Sequence, residues 1–239
     1  MSSTTPSRSA AEHRSAFREL HRSGCFVSPN PWDLGSARLL AQMGFKALAT
    51  TSSGFAWSMG RADNGMALDQ ALAHCRAMAA AVDLPISADF EGGFAVEPAD
   101  VAANVARAAE TGIAGLSIED STSNAADPLF PFDLAVERVR AASHAAAASG
   151  LYLTARTEGF IVGRPDLAET IRRLTVYAEA GADCLFAPGI RSAADIGAVV
   201  RAVAPKPVNV LVGSDFTTVA ELAELGVRGI SVGGCRARA

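Results

Sequence analysis

The stretch Leu84-Pro85-Ile86-Ser87-Ala88-Asp89-Phe90-Glu91-Gly92-Gly93-Phe94 decides how the rest of the chain is read. A short β-branched and apolar run behind a proline has the pattern of a buried strand. Asp89 and Glu91 stand two residues apart, a spacing that turns both side chains to one side of a strand end. Gly92 and Gly93 let the backbone turn at once and leave room beside the carboxylates. Two acids held together repel unless something positive sits between them, and a hard divalent cation with oxygen ligands is the commonest answer. A solvated Asp-x-Glu loop fits the spacing as well. The remainder of the chain has to decide.

Upstream, residues 10–23 carry Phe17, Leu20 and His21 at amphipathic-helix spacing, behind an arm (residues 1–9) expected to be mobile. Strands are expected at 25–27 and 46–51, with helices at 34–43 and 67–82. The second strand runs into Thr51-Ser52-Ser53-Gly54-Phe55, read as a small polar turn whose amides could hold an anion. Downstream, helices at 97–111, up to Gly150, 166–180, 192–203 and 216–225 alternate with strands at 115–120, 151–155, 183–187, 207–211 and 229–232. Gly44, Gly112, Gly181 and Gly226 each follow a helix and precede a strand by two or three residues, which marks a repeated βα unit. Eight βα units in 239 residues favour a single-domain (β/α)₈ TIM barrel over residues 10–239. A doubly wound open sheet is the alternative, but no Gly-x-Gly-x-x-Gly follows the first strand.

Composition removes whole classes of function. A net charge of −4 argues against general nucleic-acid binding. No apolar run is long enough to span a bilayer and the Ser/Thr-rich start lacks a signal-peptide core, so a cytoplasmic location is expected. Cys25, Cys75, Cys184 and Cys235 are scattered, without the spacing of a zinc site. The two lysines, Lys46 and Lys206, stand at strand starts, the face of a barrel opposite its chemistry. A Schiff-base mechanism, which needs a lysine in the pocket, is therefore disfavoured. At the strand ends the alternation instead collects Ser53, Asp89, Glu91, Glu119, Arg156 and Asn209 around one mouth. There a cation would stabilise an enolate and Arg156 would grip a carboxylate, unless Arg156 is committed to an ion pair with Glu158 or Glu119.

Asn30-Pro31-Trp32-Asp33, Ser53-Gly54-Phe55, Ala88 to Phe94, Ser117-Ile118-Glu119-Asp120 and Ala155-Arg156-Thr157 resemble the isocitrate lyase/phosphoenolpyruvate mutase superfamily, from about Phe17 to Ala239. The resemblance implies an Mg²⁺-dependent barrel (Mn²⁺ being the substitute) that makes or breaks C–C or P–C bonds beside a carboxylate through an enolate-like species. It implies that Asp89, Glu91 and Glu119 hold the metal directly or through water. Asp63 completes the acidic wall, with Asp63, Glu119 and Arg156 as the catalytic set. Ser53, Gly54 and Phe55 would bind a substrate carboxylate, and Asp89, Arg156 and Asn209 the remaining substrate oxygens. The partner is a small 2-oxo or 2-hydroxy carboxylate, and a homo-oligomer, dimer or tetramer, is expected. Three departures stand out. The Lys-Lys/Arg-Cys-Gly-His loop of true isocitrate and methylisocitrate lyases has no counterpart between Asp120 and Phe132. Pro188 stands where those lyases present a Glu. The family's C-terminal helices are absent or truncated. A lyase is thus favoured, with a weak or inactive 2-oxo-acid-binding barrel, or a phosphoenolpyruvate mutase or phosphonopyruvate hydrolase-like activity, as alternatives. A phosphate site at Gly213-Ser214 and Gly233-Gly234 is a further possibility.

Overall fold

The computed structural model describes residues 8–238. Eight short parallel strands, β1 (Phe26–Val27), β2 (Leu48–Ala49), β3 (Ile86–Asp89), β4 (Gly115–Glu119), β5 (Tyr152–Arg156), β6 (Cys184–Phe186), β7 (Val208–Leu211) and β8 (Gly229–Ser231), form one sheet. Their order is β1-β8-β7-β6-β5-β4-β3-β2. The helices between them are α2 (Leu34–Gln42), α3 (Ser52–Ser58), α4 (Leu68–Ala81), α5 (Pro98–Ala109), α6 (Phe132–Ser149), α7 (Leu167–Glu179), α8 (Ala193–Val203) and α9 (Val219–Glu224); α1 (Ala10–Leu20) precedes the first strand. A 3₁₀ turn, Gly233–Arg238, follows the last. This is the (β/α)₈ TIM-barrel fold that the alternation predicts. The ring is completed between β1 and β2 by Ala49 N–H donating to Pro29 O at 3.0 Å. Asn30 reinforces that seam, donating to Thr50 O at 3.0 Å and accepting from the amides of Val232 and Gly233 at 2.8 and 2.9 Å.

The apolar core lies outside the ring, between sheet and helices. Ile86 and Ala88 on β3, Leu116 and Ile118 on β4, and Leu153 on β5 point outward against α4, α5 and α6. Leu185, Val208, Val210 and Ile230 do the same against α7, α8 and α9. Each fully buried Leu, Ile or Val contributes about 1.5–3 kcal/mol, so these alternate positions fix the register of every strand. Gly44, Gly112, Gly181 and Gly226 all have positive φ, from +86° to +106°, which lets each helix end turn back toward its strand.

Two expectations are corrected. Thr51 to Phe55 is not a turn: Ser52–Ser58 is α-helical, with Thr51 as its N-cap accepting from Gly54 N–H at 3.3 Å. Of the arm expected at 1–9, residues 1–7 lie outside the described residues. Ser9 belongs to α1 as its N-cap, in a reciprocal capping box with Glu12, and the Arg8 amide donates to Asp83 at 2.9 Å. No described helix is long and apolar enough to cross a membrane.

Helix α1 plugs the N-terminal end of the barrel. Phe17 packs edge-on to Tyr152 and His21 stacks on the same ring at 4.2 Å. Gly115 makes room for this plug, because a Cβ there would come within 3.0 Å of Phe17 and 2.7 Å of the Tyr152 carbonyl. Burial pushes the His21 imidazole down to about 4, only partly offset by its hydrogen bond to Phe17 O. The ring is thus neutral in the fold, whereas in the unfolded chain it takes up a proton near pH 6.5. The unfolded state binds more protons between those values, so stability falls as pH drops from about 6.5 to 4, by on the order of 3 kcal/mol from this ring. In urea titrations across that range, His21→Phe should flatten the decline. An unchanged slope would show that the ring does not carry it.

Candidate active site

The register of the ladders brings Asp89, Glu119 and Arg156 together at the C-terminal mouth: Asp89 pairs with Ser117, and Glu119 with Arg156. Arg156 is the hub. Its Nη1 lies 3.4 Å from Asp89 Oδ1 and 3.3 Å from Glu119 Oε2. Its Nε and Nη2 clamp both oxygens of Glu158, the latter at 3.0 Å. The forked edge that could grip a substrate is therefore occupied by Glu158, and only the Nη1 side faces the other carboxylates. Three acids around one buried guanidinium hold its pKa well above the usual arginine value, against the cost of burial.

Asp89 is oriented from the neighbouring strand end. Ser52 donates to its Oδ2 through both amide and hydroxyl, at 3.0 and 2.8 Å, and the Asp89 amide donates to Thr50 Oγ1 at 2.9 Å. Ser53, selected from the same Thr-Ser-Ser-Gly run for a substrate carboxylate, lines the cavity, while its neighbour Ser52 holds the Asp89 carboxylate. Glu91 does not continue the strand alternation. It sits in the turn after β3 with φ +49°, and its carbonyl accepts from the Glu119 amide at 3.0 Å. Left-handed backbone at a non-glycine residue costs about 1–2 kcal/mol, and Phe94 repeats it at +56°. Arg138, buried on α6, holds this turn by donating to the carbonyls of Gly92, Ala95 and Val96, and Asn104 donates to Gly93 O.

A cavity of about 270 Å³ opens at the mouth. Ser53, Asp63, Asp89, Arg156 and Asn209 line it, while Glu91 and Glu119 are buried just behind its wall. Gly54 and Phe55 do not line it. The Phe55 amide is bonded to Thr51 O and its ring stacks on His74 at 3.9 Å. Of the glycines considered for phosphate, Gly233 and Gly234 line the cavity, and close packing leaves no room for a side chain at Gly234 or Gly213. A Cβ at Gly234 would meet Ser53 Oγ at 2.5 Å and the Trp57 ring at 2.9 Å, and one at Gly213 would meet Cys235 Sγ at 2.7 Å.

No three His, Cys, Asp or Glu side chains among the described residues form a cage for a bare ion. The acidic groups at and behind the mouth, Asp63, Asp89, Glu91 and Glu119, offer carboxylate oxygens, however, which suit a small hard cation that keeps several waters and takes one or two carboxylates directly. Their protonation chemistry agrees. Burial raises Glu91 to about 8, helped by Asp89 and Asp63, and raises Glu119 well above the carboxylate range despite Arg156. This cluster lacks positive charge.

Behind the site runs a network that the sequence did not reveal. Asp120, next to Glu119 but turned outward, accepts from Thr157 Oγ1 and Tyr177 Oη at 2.8 Å, from Arg173 at 3.2 Å and from the Glu158 amide at 2.9 Å. It anchors the segment that carries Glu158, and so sets the clamp on Arg156. Asp120→Ala leaves the buried Arg173 with Glu169 as its remaining acid and frees Thr157, Tyr177 and the Glu158 amide, and should cost about 3–5 kcal/mol; Tyr177→Phe removes one hydrogen bond and should cost about 1 kcal/mol. Urea unfolding of both variants checks the ordering. Equal costs would mean that the Arg173 pairing is not what Asp120 provides.

Comparison with known proteins bears on this arrangement. Residues 17–239 match the phosphoenolpyruvate phosphomutase family. The fold superposes on the crystal structure of a candidate lyase/mutase from Burkholderia cenocepacia J2315 with a TM-score of 0.92 and 50% identity, covering 96% of this chain and 84% of that one. It superposes on 2,3-dimethylmalate lyase with a TM-score of 0.84 and 28% identity, covering 96% and 82%. Oxaloacetate decarboxylase of Pseudomonas putida GB-1 is 28% identical over 232 residues, 93% of this chain and 79% of that protein. With nearly its whole described length matched, and with Asp89, Glu91, Glu119 and Arg156 at the strand ends, the chain belongs to the phosphoenolpyruvate phosphomutase family of the PEP mutase/isocitrate lyase superfamily.

Proposed function

We propose that this protein is an Mg²⁺-dependent lyase that breaks or forms a C–C bond, or a P–C bond, of a small 2-oxo or 2-hydroxy carboxylate through an enolate-like intermediate. One observation carries the reading: Asp89, Glu119 and Arg156 meet within 3.3–3.4 Å contacts at the C-terminal mouth. Both lysines lie elsewhere, Lys46 exposed ahead of β2 and Lys206 at the basal end beside Pro205 and Pro207. Relatives of this chain include an oxaloacetate decarboxylase and a dimethylmalate lyase, both of which act on small carboxylates.

Asp89 would hold the ion directly, with Glu91, Glu119 and Asp63 acting through its waters. When bound, the ion supplies Lewis-acid polarisation of a 2-oxo group and offsets charge developing on that oxygen. The protein's own groups do the rest. Arg156 exchanges its long Nη1 contacts with Asp89 and Glu119 for a substrate carboxylate, while Glu158 keeps the guanidinium plane fixed. Ser53 Oγ and the Asn209 amide, both on the cavity wall, supply further hydrogen bonds to substrate oxygens. The segment 120–132 carries neither Lys nor Cys, so a tricarboxylate would enter with anionic groups unmatched, at a cost of several kcal/mol each. Short ligands such as oxaloacetate, 2-oxoglutarate, pyruvate or phosphonopyruvate are therefore preferred over isocitrate and methylisocitrate.

The complete occupation of Arg156 by three acids also supports a second reading, a barrel that binds a 2-oxo acid and turns it over weakly. Turnover of a 2-oxo acid panel with and without Mg²⁺ separates the two. Asp89→Ala should abolish activity and the Mg²⁺-dependent rise in melting temperature while the circular dichroism spectrum is kept; Mg²⁺ binding that survives in this variant on calorimetry would sink the metal assignment. Arg156→Lys should weaken 2-oxo acid binding at least about tenfold, because a single ammonium cannot keep the two-pronged bond to Glu158 and still present a fixed donor to the substrate.

A further inference from the structure

The inside of this barrel is polar where such barrels are ordinarily packed with Val, Ile and Leu. With a shear of about eight, neighbouring strands are offset by about one residue at a given height, and alternate strands supply the four side chains of a layer. Down the ladders from Asp89 and Arg156, the next layer is Ala49, Ser117, Phe186 and Ser231, and the one below it is Ser28, Ser87, Thr154 and Asn209. All eight line the cavity, which continues past them to Phe17, His21 and Phe26 at the floor. Ala49 and Phe186 are the apolar members of the two layers.

Part of this polar lining lacks a protein partner. Asn209 donates to Ser231 Oγ at 2.9 Å, and Thr50 Oγ1 accepts from the Asp89 amide. Ser28, only 5% exposed, has a hydroxyl buried in the shaft with no hydrogen-bond partner. A buried hydroxyl is expected to find water or a ligand group. Below Arg156 the described lining carries no cation, and His21 at the floor is neutral. An anionic tail would therefore be buried there uncompensated beneath Asp89, whereas an apolar tail would strip the hydroxyls of water and return nothing.

We infer that this shaft is a subsite for the distal part of the substrate, and that this part is an uncharged, hydroxyl-bearing carbon chain. The inference rests on the proposal that a 2-oxo acid head group binds at Arg156. It narrows the substrate class to a 2-oxo monocarboxylate with a hydroxylated tail, the tail displacing shaft water and bonding to Ser28, Ser117 and Thr154.

Three five-carbon probes isolate the tail: 2-oxopentanoate, 4,5-dihydroxy-2-oxopentanoate and 2-oxoglutarate, titrated into the Mg²⁺-loaded protein by calorimetry. The dihydroxy acid should bind at least about tenfold tighter than either of the others, the return on one or two neutral hydrogen bonds. Thr154→Val, which keeps the side chain's shape, and Ser117→Ala should each narrow that ratio to about threefold or less, and Thr154→Ser should preserve it. Equal binding of the dihydroxy and unsubstituted acids, tighter binding of 2-oxoglutarate, or a ratio untouched in folded Thr154→Val and Ser117→Ala would overturn the inference and leave the head-group site standing, with water alone filling the shaft. Failure of all three acids to bind would overturn the head-group proposal itself, and the subsite with it.

Discussion

A single buried guanidinium governs this molecule's chemistry. Arg156 stands among Asp89, Glu119 and Glu158, and without it three carboxylates would share a low-dielectric mouth with nothing to offset them. The arrangement is one cation short of balance. Arg156 draws Glu158 fully to itself and meets Asp89 and Glu119 only at long range. Burial raises the proton affinity of Glu91, which Arg156 does not contact, and of Glu119 and Glu158 in spite of it. The proposed cation would answer this imbalance, taken up by the carboxylate oxygens of the mouth.

Holding such a site costs structure elsewhere, and the surrounding elements show where that cost is met. Glu91 and Phe94 occupy left-handed backbone, and the buried Arg138 commits its donors to the carbonyls between and beyond them. On the far side, Asp120 gathers Thr157, Arg173, Tyr177 and the Glu158 amide. Two arginines that never reach the cavity thus fix the two loops that carry Glu91 and Glu158 behind its wall. The apolar core is placed to tolerate this. Because it lies between sheet and helices, polar groups can crowd the mouth and the shaft without interrupting it.

The alternation of strands and helices, the strand ends and the convergence of Asp89, Glu119 and Arg156 were readable from sequence because each depends on period and position alone. Other features were not. The Ser52–Ser58 helix was hidden because its Ser-Ser-Gly composition favours turns, while its stability comes from the Thr51 cap and from packing against the 3₁₀ turn at the chain's other end. Glu91 was expected to point with Asp89 by strand alternation, yet the strand stops at Asp89 and a positive φ at Glu91 breaks the alternation. Ser52 and Asp120 escaped selection as site residues since their roles arise from partners 37 to 57 positions away. The polar interior was written in Ser28, Ser87, Ser117 and Thr154, but only the ladder registers turn scattered hydroxyls into stacked rings.

The seam between β1 and β2 gives the cylinder a preferred line of weakness. Elsewhere the strands are laced by continuous ladders, whereas here one main-chain bond and the Asn30 side chain hold the edges together. Asn30 bridges three strand ends at once, so loosening it frees β2 and β8 together. The Thr50-Thr51-Ser52 segment that orients Asp89 hangs directly from this edge. Breathing of the cylinder would therefore be felt as a change in bore at the catalytic mouth, while the Arg156 side opposite stays rigid. The barrel behaves less as a closed pipe than as a spring clip with its jaw at Asp89.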